Sequence, residues 1–330
     1  MSQNLTSHAK AAGGRIPRAG FLGPEGTFTH MALQAWRDAP PEVEAIPFGS
    51  VDAALRALRE GELDGAMVPI ENSVEGGVSA TLDALSNGDP LEIIGEVLVP
   101  VTFVIAVRPG VALADVTRIG THSHAWAQVR RWVGEHLPDA AYVPTLSTAA
   151  AAADLAADLD EDAGYDAAIC ARGAAQFHGL DILAEDIGDN SAAVTRFVAV
   201  TTPGRVPPPT GADKTTFVLF QHLDKPGGLM GLLEQIAVRG INMTRLESRP
   251  TKESMGSYCF SIDVEGHISD ARIGEALMGL QRVCSEVRFL GSYPRADGGA
   301  AQVPPFASDQ AHREAQEWLA TVRGGAGPGR

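Results

Sequence analysis

The stretch AVTRFVAV (193–200) alternates like a strand yet sets a charged side chain on an apolar face. Val194, Arg196, Val198 and Val200 fall on one side, and Thr195, Phe197 and Ala199 on the other. Two chemistries suit that pattern. Arg196 at a strand mouth can pair with a nearby carboxylate, Asp186 or Asp189, as a structural ion pair. It can also form the positive floor of a cleft that binds an anion, with the Thr195 hydroxyl beside it.

Residues of this kind need elements that aim them, and the N-terminal two-thirds of the chain supplies strand-to-helix junctions. AGFLG runs through PEGT into FTHMALQAWRD, and GAMVPI runs through ENSVEGG into VSATLDALSNG. VTRIG runs through THSH into AWAQVRRWVGEHL, and AYVPT runs through LST into an alanine-rich helix. Each junction sets Gly, Ser, Thr, Asn or His at a helix start, where free N–H groups and a partial positive charge suit an anion. In open parallel sheets such junctions gather at the carboxyl edge of the strands. A single junction is usually only a cap; several converging beside an arginine make a site.

GFLGPEG is neither the dinucleotide glycine pattern nor a P-loop. His122 and His124 have the spacing of two ligands on one strand face, but no third ligand lies nearby, so no metal site is expected. Further on, KPGGL opens a helix with two glycines whose exposed N–H groups could take an amino-acid carboxylate. ESRP ends a strand with an unusually polar run, which could equally be a turn carrying a surface ion pair.

With 330 residues the chain is long enough for two or three cores. Its formal charge is −15, from 26 basic and 41 acidic residues, and no basic block offsets it. A nucleic-acid surface is therefore not expected, and the positive partner of any anionic ligand must be local. Cys170, Cys259 and Cys284 are far apart and odd in number, which suggests free thiols in a reducing compartment. The first twenty residues contain no apolar signal core, and the longest apolar run, VLVPVTFVIAV, is broken by Pro100 and too short to span a membrane. The expectation is a cytoplasmic protein with no membrane association.

The organisation predicted is a flexible leader (1–18), an α/β unit (19–200), the proline-rich linker TTPGRVPPPTGAD (201–213) and a smaller unit (214–294). The smaller unit reads β-α-β-β-α-β, with helices over GGLMGLLEQIAVRG and from about Ile268 to Cys284, the ferredoxin-like arrangement. The tail (295–330) is expected to be mostly disordered, apart from a short amphipathic piece near REAQEWLATV.

Taken together, GPEGTFTHMAL, VPIENSVEGGVSATLDAL, THSHAWAQ and VTRFVAV resemble the catalytic domain of the prephenate dehydratases. KPGGLMGLLEQIAVRGINMTRLESRP resembles the phenylalanine-sensing ACT domain that follows it in that family, and order and spacing agree from about 19 to 294. The resemblance implies a two-lobed, periplasmic-binding-protein-like catalytic domain, with one lobe at about 19–100 plus 190–200 and the other at about 101–189. It implies the conversion of prephenate to phenylpyruvate with loss of water and carbon dioxide, without a cofactor, in a homodimer or homotetramer.

By the same resemblance Thr195, Arg196 and Phe197 form the catalytic motif, with Thr195 its essential member. Thr27, Glu71, Asn72, Ser73, Thr121 and His122 would bind substrate. The family's Ser-His-Pro-Gln stretch reads Thr121, His122, Ser123 and His124 here, so its Pro and Gln are replaced. Gly227, Gly228, Leu229, Asn242, Glu247, Ser248 and Arg249 would hold L-phenylalanine, the first three standing for the usual Gly-Ala-Leu. Two rivals remain open on sequence alone: a non-enzymatic amino-acid sensor, and an enzyme that takes arogenate instead of prephenate.

Overall fold

A computed structural model describes residues 16–36, 42–157, 163–222, 225–251 and 257–324. Most of the expected leader and the last six residues of the tail lie outside the described residues. The strands in chain order are β1 (Arg18–Leu22), β2 (Glu44–Phe48), β3 (Gly65–Asn72), β4 (Gly76–Gly77) and β5 (Glu92–Pro100). β6 (Val104–Val107), β7 (Arg118–Thr121), β8 (Ala141–Pro144), β9 (Ala167–Cys170) and β10 (Asp181–Ala184) follow, and then β11 (Val194–Thr201). β12 (Asp213–Phe220), β13 (Met243–Pro250), β14 (Tyr258–Glu265) and β15 (Glu286–Pro294) complete the set.

Two sheets carry the first α/β unit. The first has the order β2-β1-β3-β11-β5 with β4 beside β3, and the second β10-β6-β9-β7-β8. β1 runs parallel to β2 and β3, and β7 parallel to β8 and β9, as helix crossovers require. In the first sheet Val51–Arg59 buries Leu55 and Leu58 while Ser50 caps it, its hydroxyl accepting from the Ala53 N–H at 3.1 Å. In the second, Phe103, Ile105, Val107, Ile119, Val129 and Ile169 form one buried cluster. β11 lies inside the first sheet and is buried on both faces beyond Val194, so Arg196 is only 5 % exposed.

The third sheet has the order β13-β14-β12-β15, and every pairing in it is antiparallel. With the helices Gly228–Ala237 and Ala271–Val283 this is the ferredoxin-like arrangement, cored by Phe217, Leu219, Leu232, Ile262, Ile273 and Leu280.

Internal packing divides the chain into residues 1–81 with 97–199 and residues 82–96 with 200–330. Sequence reading assigned 82–96 to the first lobe, but polar contacts hold this segment in the C-terminal unit. Lys214 Nζ reaches both Glu96 carboxylate oxygens at 2.9 and 3.2 Å, and both side chains are largely buried. The Ala296 N–H donates to Glu96 at 3.0 Å, and Arg288 donates to the Gly88 carbonyl at 3.2 Å.

The tail also departs from expectation. Asp309–Arg323 is helical, capped by Ser308. Asp309 accepts the Ala271 N–H at 2.9 Å and His312 meets Glu275 at 3.5 Å, so these polar contacts tie the tail to the helix Ala271–Val283. The helix contains the amphipathic piece expected near REAQEWLATV and extends beyond it, and none of its residues is buried.

Gly291 adopts φ +129° at an irregularity in the β12–β15 register, and a Cβ there would collide with the Ile93 carbonyl. Gly211, at φ +87°, has open space around it. Gly211→Ala should therefore cost only backbone strain, about 1 kcal/mol. Gly291→Ala should cost at least about 2 kcal/mol, because strand β15 must also move. Denaturant unfolding of the two variants checks this; equal losses would contradict the packing.

Candidate active site

The junction after β3 is built around one side chain. Asn72 Oδ1 accepts the Val74 and Glu75 N–H groups at 2.8 and 3.2 Å, the Asx-turn pattern that asparagine favours. With its oxygen so engaged, the amide nitrogen faces the other way and donates to Thr195 Oγ1 at 2.8 Å. Ser73 fixes the register beside it: its N–H donates to the Val194 carbonyl at 2.9 Å, and its hydroxyl accepts the Val194 N–H at 2.9 Å. The Glu-Asn-Ser and Thr-Arg-Phe motifs, more than 120 residues apart, are thus one structure.

This geometry assigns the Thr195 proton. Its oxygen already accepts from Asn72, and among the described residues no acceptor takes the hydroxyl proton. Thr195, 8 % exposed, can therefore donate to a ligand. Arg196 Nη1 stands 3.4 Å from Glu71 Oε2, and the Glu71 side chain is 37 % exposed. The carboxylate expected near Arg196 was Asp186 or Asp189; the structure supplies Glu71 from the neighbouring strand, while Asp189 accepts the Arg131 N–H at 3.2 Å. Phe197 is a buried core residue.

Two candidate hydroxyls have other duties. Thr27 caps the helix Phe28–Ala35, accepting the His30 N–H at 3.3 Å and donating to the Leu22 carbonyl at 3.0 Å. Thr121 is fully buried and donates to the Ile169 carbonyl at 2.7 Å. In both, the hydroxyl proton goes to a backbone carbonyl.

Across from the Asn72 loop, His122 caps the short helix Ser123–Ala127, its Nδ1 accepting the His124 N–H at 3.3 Å. The neutral ring therefore carries its proton on Nε2. Burial chiefly, with His124 adding, lowers the His122 pKa below the ordinary imidazole value, and Glu75 pulls the other way. Sequence reading left His124 without a role, yet its Nδ1 lies 3.0 Å from Glu75 Oε2. Glu75 was missed altogether; the signal was a carboxylate in the ENSVE junction and an imidazole pair in the THSH junction. The two sheets of this unit also meet at Gly26, where a Cβ would lie 2.7 Å from Ala174 Cα. No group of three or more His, Cys, Asp or Glu suited to a metal occurs among the described residues.

In the C-terminal unit Gly227 takes φ +78° as the cap of Gly228–Ala237, with open space before it, and Leu229 packs against the core. Asn242 and Ser248 are exposed. Arg249 Nε donates to Asp83 at 2.9 Å, and that bond raises its pKa. The ESRP arginine therefore has a carboxylate partner within its own unit.

Comparison with known proteins agrees with these motifs. The family model for prephenate dehydratase matches residues 19–205. A prephenate dehydratase of Mycolicibacterium vanbaalenii is 46 % identical over 323 residues, covering 94 % of this chain and 99 % of its own. The crystal structure of Arthrobacter aurescens prephenate dehydratase in complex with L-Phe is 54 % identical, with TM-score 0.86, over 92 % of this chain and 99 % of that one. The quorum-quenching acylase GqqA shares the fold at 31 % identity and TM-score 0.74, over 88 % and 99 %. The chain belongs to the prephenate dehydratase family.

Proposed function

We propose that the chain carries out its family's reaction, the decarboxylating dehydration of prephenate to phenylpyruvate, at the cluster of Asn72, Thr195, Arg196 and His122. The Asn72–Thr195 hydrogen bond carries this reading, because it leaves the threonine proton free to donate. The electron pair of the breaking bond to the ring carboxylate, which departs as carbon dioxide, enters the ring and expels the ring hydroxyl, which takes up one proton from solvent and leaves as water. Aromatisation drives the step, so no cofactor is called for. A hydrogen bond from Thr195 follows the charge that develops on the departing oxygen. Near pH 7 the lowered pKa keeps His122 neutral, so it contributes a hydrogen bond from Nε2. Arg196 supplies the full positive charge that a dianion needs, and Glu71 is its partner before substrate arrives.

The acylase likeness does not favour an acyl-transfer reading. A hydroxyl nucleophile needs a neighbouring base, and Thr195 Oγ1 meets an amide donor instead. The amino-acid-sensor rival predicts ligand binding without turnover. Ultraviolet detection of phenylpyruvate from prephenate, run beside arogenate, separates the sensor and the arogenate enzyme from the proposed reading.

For regulation, we propose that L-phenylalanine binds the C-terminal unit near Gly227, Gly228 and Glu247–Arg249. Support comes from the L-Phe complex of the Arthrobacter relative and the open backbone at Gly227. Arg249 holds Asp83, on the helix Ser79–Ser86 that follows the Gly77–Glu71 pairing beside the catalytic loop. A ligand that redirects Arg249 would therefore act on a helix leading back to Glu71. A homodimer or homotetramer is supported by the apolar patch around Leu277, Met278, Val287 and Phe289, a hollow of about 470 Å³. A cytoplasmic location is supported by three free, buried thiols, and no helix among the described residues is long and apolar enough to cross a membrane.

Thr195→Ala should lower turnover on the order of 100- to 1000-fold with an unchanged melting curve. Asn72→Asp should also lose turnover, since the new carboxylate would capture the Thr195 proton. Steady-state kinetics decide; a variant of either kind above half of wild-type turnover contradicts the site. Gly228→Val should weaken the response to phenylalanine more than it weakens turnover, because a branched side chain crowds the helix start, where Gln221 already lies 3.1 Å from the Cβ position. Inhibition curves and calorimetry on the full chain check this.

A further inference from the structure

A continuous line of contacts leads from the catalytic threonine to the facing lobe. Thr195 is held by Asn72, whose oxygen holds the Glu75 N–H. The Glu75 carboxylate meets His124 Nδ1 at 3.0 Å, and the His124 N–H meets His122 Nδ1. The two imidazole rings stand edge to face with centroids 4.9 Å apart. Asn72 and Glu75 follow β3 of the first sheet, whereas His122 and His124 follow β7 of the second. The Glu75–His124 contact is therefore one of the places where the two lobes touch.

We propose that Glu75 and His124 form a clasp that closes the lobes over the substrate and sets His122 opposite Thr195. Neither touches the reacting atoms; both are positioning residues, and the idea rests on the dehydratase reading above. Two features suit them to the task. The side chains are 44 % and 64 % exposed, so the pair is weak enough to part when prephenate enters. The loop whose N–H donors hold the Asn72 oxygen also carries Glu75, so closing the clasp and ordering the threonine donor are one event.

The charged groups bearing on His122 are His124 from its own helix and Glu75 from the facing loop. They act with opposite sign, and this gives a readout that packing alone would not move. Glu75 raises the His122 pKa, so Glu75→Gln should lower its titration midpoint. His124, when protonated, lowers it, so His124→Ala should raise the midpoint.

The test is an NMR titration of the His122 ring in the full-length protein, beside kcat/KM for prephenate. Glu75→Gln and His124→Ala should each lower kcat/KM about three- to fivefold, as expected for losing an exposed pair. The double variant should lose no more than the worse single one, and His124→Gln, which can still donate to Glu75, should regain most of the loss. Opposite midpoint shifts with coupled kinetics support the clasp. Unmoved midpoints, or a double-variant loss equal to the product of the two, overturn it. If the wild type makes no phenylpyruvate, the dehydratase reading fails, and the titration still decides whether Glu75 and His124 act on His122.

Discussion

The site depends on the direction of one amide. Had Asn72 presented its oxygen to Thr195, the hydroxyl would have donated to it and had nothing left for a substrate. Two backbone N–H groups of the following turn claim that oxygen, so the nitrogen is left to face the threonine. The turn, the strand register fixed by Ser73 and the free proton on Thr195 are thus consequences of a single local arrangement. An amide suits this role better than a carboxylate would, since it is donor and acceptor at once and carries no charge.

Hydroxyls elsewhere in the unit are spent on structure. Thr27 and Thr121 both donate to backbone carbonyls, one at a helix start and the other inside a sheet. Burying a hydroxyl without a partner is costly, so a small donor in a packed α/β lobe is usually consumed locally. Against that background the uncommitted Thr195 proton supports the role proposed for it more sharply than its residue type does. A hydroxyl whose oxygen is held while its proton is uncommitted is able to donate to a ligand.

Much of this was legible in the sequence, and what was hidden has physical causes. The period-2 strand 193–200, the junction residues and the β-α-β-β-α-β order of the C-terminal unit follow from patterns of two and 3.6 residues. The partner of Arg196 did not, because Glu71 is adjacent only through the β3–β11 pairing, whereas Asp186 and Asp189 are near in sequence. Which way a hydroxyl donates is set by tertiary neighbours, and this is why Thr27, Thr121 and Thr195 looked alike. The grouping of 82–96 with the C-terminal unit rests on Lys214–Glu96 and Arg249–Asp83, contacts more than 100 residues apart in sequence. The amphipathic piece near REAQEWLATV was legible, with Trp318, Leu319 and Val322 as its apolar residues, but the helix is longer than that piece and its polar docking to Ala271 and Glu275 has no sequence signal.

The charge balance explains why the arginine must be buried. A chain of net charge −15 repels a dianion at long range, and salt screens that repulsion beyond about 8 Å. Attraction must therefore come from a short-range positive group in a poorly screened place, which the interior of β11 provides. An unpaired guanidinium there would carry a heavy desolvation cost, and Glu71 offsets it while the site is empty. Under the proposed function the partly exposed Glu71 carboxylate would turn toward water as a substrate carboxylate takes its place. Such an exchange of carboxylates would keep the arginine neutralised throughout, replacing one ion pair by another rather than stripping water from a bare charge. On that proposal Glu71 is part of how the site would admit an anion, although it carries the anion's own charge.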